Sequence, residues 1–74
     1  MIKEEELRNA RSCINKAEST EMLFVLLARD IAAPDTIRFW VQKRIELGKN
    51  KPGDPQILEA LACAETMEIQ RVSL

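Results

Sequence analysis

The side chains able to do chemistry in this sequence are few, and their types exclude more than they permit. There is no histidine and no tyrosine, so general acid–base work falls to carboxylates and lysines. Ser12, Ser19 and Ser73 have no imidazole to activate them. A structural zinc needs four nitrogen or sulfur ligands, and two cysteines far apart, Cys13 and Cys63, do not supply them. Glu65 and Glu68 share a helical face at the spacing of ordinary surface charges. Gly48-Lys49-Asn50 has the lysine of a phosphate loop but lacks its first glycine and the Ser/Thr after the lysine; it reads as a helix stop followed by a basic loop. The expectation is a protein that is not an enzyme and carries no metal or cofactor.

Binding chemistry remains. The net charge is −1, from 11 basic and 12 acidic residues, which argues against nucleic acid as a partner. Residues 29–51 nevertheless carry a net +3, set by Arg29, Arg38, Lys43, Arg44, Lys49 and Lys51 against Asp30, Asp35 and Glu46. Arg44 falls within an apolar arc, where a guanidinium must be paired, extended to water or aimed at an anion. Two readings stay open: an ion pair with Asp30 or Asp54, or a fork for phosphate or carboxylate at a subunit junction with Arg29, Arg38 or Lys49. Phe39 and Trp40 are adjacent, so on a helix they point about 100° apart. Trp40 is the better core residue, leaving Phe39 for another subunit, a partner protein or a planar ligand. The expected ligand-binding set is thus Arg44, Arg29, Arg38, Lys49, Phe39 and Trp40.

The elements that must position these residues read as mainly helical, three to four helices in one domain spanning residues 1–74. Leu7, Ala10, Ile14 and Ala17 recur at helical spacing, and Glu4 to Glu6 suit the positive end of a helix dipole, so Ile2 to about Ala17 is expected as one amphipathic helix. Ser19-Thr20 breaks it. The run Met22 to Ala28 is continuously apolar and fits either a buried strand or a helical turn. Its Phe24-Val25 centre favours a short strand, which would need a partner strand from another subunit.

A further helix starts near Pro34 and ends at Gly48, with Leu47, Trp40, Ile37, Val41 and Ile45 on one arc. Lys49 to Gly53 is a loop. Asp54-Pro55 then gives a cap and a first-turn proline for a helix running to about Val72. That last helix has Ile57, Leu58, Leu61, Ala62, Ile69 and Val72 to one side, and Ala60, Ala64, Met67 and Leu74 to another. Only Glu59, Thr66, Gln70 and Ser73 form a polar strip. A helix apolar on more than one side is normally covered on more than one side.

Size makes that demand hard to meet. Chains below roughly 70–80 residues need disulfides, metal, unusually good helix packing or partner subunits. Residues 1–6 hold no apolar leader, and no apolar run approaches a membrane span of about 20 residues. The expected setting is therefore the cytoplasm, where both cysteines stay reduced. A homo-oligomer follows as the expected source of stability.

The string Phe24 to Asp30, then Ala33-Pro34, Ile37, Trp40 and Arg44-Ile45, followed by Gly48-Lys49-Asn50 and Asp54 to Leu61, resembles small open reading frames of bacteriophages and prophages over residues 21–68. The resemblance brings no site residues with it. It implies a phage-encoded protein in the host cytoplasm that acts by binding, as anti-defence proteins do when they sequester a nucleotide immune signal or block a host effector. With arginine forks and aromatic faces available at subunit junctions, a homo-oligomer that sequesters a phosphorylated nucleotide is the first expectation. An inhibitor or adaptor of a host or phage protein, using Phe39 and the last helix, is the alternative.

Overall fold

The computed structural model describes residues 1–73, and the sides assigned above to Val72, Ser73 and Leu74 lie outside the described side chains. Among the described residues four helical segments follow one another: α1 (Lys3–Arg8), α2 (Cys13–Lys16), α3 (Ala33–Glu46) and α4 (Pro55–Ser73). The mainly helical class is as the sequence indicates.

One helix expected over Ile2 to Ala17 is in fact two. Asn9 Oδ1 accepts from the N–H of Arg11, which turns the chain. Ser12 then starts α2, its Oγ accepting from the N–H of Asn15 and donating to the carbonyl of Glu6. Asn15 Nδ2 donates to the carbonyls of Glu6, Leu7 and Asn9. Short polar side chains thus offer the backbone partners that a continuous helix would have supplied, the usual way Asn and Ser break helices. Ser12 is the buried residue at the centre of this knot.

The hairpin α3–α4 has more conventional causes. Asp30 Oδ1 accepts from the N–H of Ala32 ahead of α3, and Pro34 lies in its first turn. At the other end Gly48 takes φ of 71°. Its N–H bonds the Ile45 carbonyl while that of Lys49 bonds the Arg44 carbonyl. This paired closure uses a left-handed residue that glycine adopts at little cost. Pro55 opens α4 as expected, and the Asp54 carbonyl receives the N–H groups of Ile57 and Leu58.

Where the two helices meet, Val41, Ile57 and Ala60 form the core, with Ile37 and Ile45 packed against it. Ala33 and Ala64 are also buried. Ile57, at 1% exposure, is the one large side chain wholly enclosed among the described residues. Trp40, expected in the core, is a correction: it stands at the flank, 39% exposed, because Val41 takes the centre of the α3 face and Trp40 is turned 100° away.

Residues 21–27 form neither helix nor strand within the chain. No helix among the described residues is long and apolar enough to cross a membrane.

Candidate functional site

Counting 100° per residue around α4 separates three faces. Ile57, Ala60 and Ala64 point to α3 and are buried. Leu58, Leu61 and Ile69 lie roughly a quarter-turn away and are exposed. Ala62, Cys63 and Met67, with the polar strip at Glu59, Thr66 and Gln70, face a third direction and form one wall of a groove of about 930 Å³. The opposite wall comes from the first half of the chain: Ile2, Leu7, Cys13 and Ile14 from the α1–α2 knot, and Phe24 to Ala28 from the irregular segment.

This groove has the size and composition of a binding cleft, with mainly apolar walls and a few polar groups at Lys3, Glu6, Glu59 and Gln70. The polar positions have no histidine, and among the described residues no three of His, Cys, Asp or Glu gather as metal ligands. Among those residues, too, no buried side-chain nitrogen or oxygen lacks a hydrogen-bond partner. What its walls offer is mainly apolar surface, with a few polar groups beside it. A smaller, polar recess of about 230 Å³ lies elsewhere, between Ile31, Pro34, Asp35, Glu68 and Arg71.

The residues expected to bind an anion are placed differently. Arg38 Nη2 pairs with Glu68 across the hairpin, while Nη1 reaches Asp35 at 3.4 Å. The hydrogen bond from Arg38 to Glu68, with Asp35 adding attraction, raises the Arg38 pKa above its already high value, and its charge is committed within the chain. Arg44 makes neither ion pair suggested for it. Asp30 serves the N–H of Ala32, and the link to Asp54 runs through Asn50. Arg44 Nε donates to Asn50 Oδ1 at 2.7 Å, and Asn50 Nδ2 donates to Asp54 Oδ2 and Gln56 Oε1. Its guanidinium carbon lies 5.5 Å from the centre of the Trp40 ring, a cation–π distance. A half-buried arginine is thus satisfied by a neutral amide and an aromatic face. Spacing could not show this, because Asn50 belongs to the loop.

Asp54 is also redirected. Its carboxylate turns to the loop before α4 and accepts from the N–H of Lys51 and from Asn50, which hold its pKa below the ordinary value, the Lys51 bond most.

Arg29 and Lys49 are exposed, on different connections, and Phe39 stands 68% exposed opposite the α3 core face. None of Arg44, Arg29, Arg38, Lys49, Phe39 and Trp40 lines the groove. The sequence marks Cys13 and Cys63 as reduced thiols and the run at 22–28 as a strand or helical turn, but not that both cysteines and Phe24 to Ala28 share one cleft. The available signal was the unsatisfied apolar breadth of α4. A scan against protein-family models, a search of curated proteins and a search of solved structures each match nothing to this chain.

Proposed function

We propose that this is a non-enzymatic interaction protein, which assembles with itself and acts by covering or being covered through apolar surface. The observation that carries the reading is the open groove beside α4, walled by apolar side chains from both halves of the chain. Exposed apolar patches of this extent on a small chain mark contact sites. With the phage resemblance, the reading becomes an inhibitor or adaptor of a host or phage protein, working in the host cytoplasm.

A second reading, sequestration of a phosphorylated nucleotide, draws on one observation, the Trp40 ring stacked by Arg44. Within one chain Arg38 is paired with Glu68 and Arg29 and Lys49 lie on different connections, so that ligand would need residues from two copies.

Thermal melting with cyclic dinucleotides, ADP-ribose derivatives and mononucleotides separates the two. The interaction reading expects no shift with any of them and a solution mass above that of one 8.4 kDa chain by light scattering at micromolar concentration. A well-folded monomer at that concentration overturns it, and a saturable shift with one nucleotide transfers the conclusion to the second reading.

A further inference from the structure

The accessible surface of the chain is 6284 Å². A folded monomer of 8.4 kDa is expected to expose about 4,600 Å². The excess of roughly 1,700 Å² per chain is in the range that permanent protein–protein interfaces cover on each partner. The radius of gyration agrees, at 13.0 Å against about 11 Å for a compact domain of this length.

The two most exposed large apolar side chains lie where the backbone is also unpartnered. Met22 and Phe24 are 95% and 85% exposed, and Leu23, Val25 and Leu27 are more than half exposed. Among the described residues, no N–H of residues 22–28 finds an acceptor, and of their carbonyls only that of Leu27 is used, by the N–H of Asp30. The run contains no charge, no proline and no glycine. It has the composition of a strand and lacks the neighbour that would make it one.

The sequence around the run says which neighbour fits. Laid antiparallel against itself with Val25 on the twofold axis, Met22 faces Ala28, Leu23 faces Leu27 and Phe24 faces Leu26. The same register sets Glu21 of each copy opposite Arg29 of the other, an opposite-charge pair at both ends. Among the described residues the Glu21 carboxylate accepts from the nearby N–H of Glu18 through one oxygen, which leaves the other oxygen open, and Arg29 is exposed. A parallel arrangement would instead oppose Glu21 to Glu21 and Arg29 to Arg29. Because Phe24 to Ala28 also border the groove, the second copy's segment would close it.

We propose that residues 22–28 pair antiparallel with the same residues of a second copy, in the register that matches Glu21 with Arg29. The proposal rests on the self-assembly part of the function above. It is an isologous contact, in which one surface serves both partners.

The test uses the full chain and four samples: wild type, E21R, R29E and an equimolar mixture of the two variants. Each variant alone places like charges at both ends of the ribbon and should weaken the dimer about tenfold by sedimentation. In the mixture, E21R paired with R29E restores opposite charges at both ends, so dimer should return. Alternate residues of an antiparallel pair donate to the ladder, so of V25P and F24P at least one removes a ladder N–H near the centre and should abolish the dimer while far-UV helicity persists. In the wild type, hydrogen exchange at residues 22–28 should slow with rising concentration. A dimer that forms with these amides unprotected and indifferent to the charge swaps overturns this pairing and leaves the function reading standing. A folded monomer at all concentrations overturns both.

Discussion

Residues 1–32 and the hairpin of residues 33–73 draw on the same kinds of side chain and treat them in opposite ways. The hairpin turns one apolar face of each helix inward around Val41, Ile57 and Ala60, while Phe39, Leu58 and Ile69 on its other faces stay exposed. The first half buries only Ser12 and leaves Ile2, Leu7, Phe24 and Val25 exposed. Its order comes from side-chain hydrogen bonds that tie α1 to α2. Apolar content alone therefore does not make a core. Two helices of 14 and 19 residues offer long facing stripes. Helices of 6 and 4 residues do not.

The contrast breaks most visibly at Ile57. Removing its enclosed side chain with Ile57→Ala should cost about 2–5 kcal/mol, read by urea unfolding, whereas Leu7→Ala, already half exposed, should change the same midpoint little. Equal losses would mean that the two halves share one core. Next in size is Ser12→Ala, which removes a cap and a bond to the Glu6 carbonyl together. A lost cap is worth about 1 kcal/mol, and here it should show as faster amide exchange within α1 and α2, with hairpin melting unchanged.

The smallest effect is the acid response of the α3–α4 connection. The Asp54 pKa is lowered on folding from its ordinary 3.8, so the folded chain favours the ionised form. Its contribution is fully present above the unfolded value and fades as pH falls through the lower folded one. Stability measured from pH 7 toward pH 3 should decline less steeply in Asp54→Asn, at the expense of lower stability near neutrality. An unchanged profile would mean the carboxylate bonds to Lys51 and Asn50 carry no linkage.

The hairpin was legible because its signals are local and agree with each other: proline in the first turns, a glycine after α3, and apolar spacing between them. The α1–α2 break was less so. Asn9 and Ser12 mark it, yet the apolar recurrence at Leu7, Ala10 and Ile14 points to an unbroken helix, and only the converging hydrogen bonds decide between them. The site was partly legible. Apolar breadth on α4 pointed to more than one contact face, but not to a groove that Cys13, Phe24 and Cys63 line together. Arg44 was recognisable as a charge needing satisfaction, and its partners were not.

By itself the sequence determined the helical class, the ends of α3, the start of α4 and the poverty of catalytic groups, since each depends on residue identity or on neighbours within a turn or two. Tertiary structure alone decided that Arg38 is taken by Glu68, that Asn50 stands between Arg44 and Asp54, and that the apolar first half lies open beside α4. These join residues many positions apart, and a helical period sets the direction of a side chain but not what is waiting there.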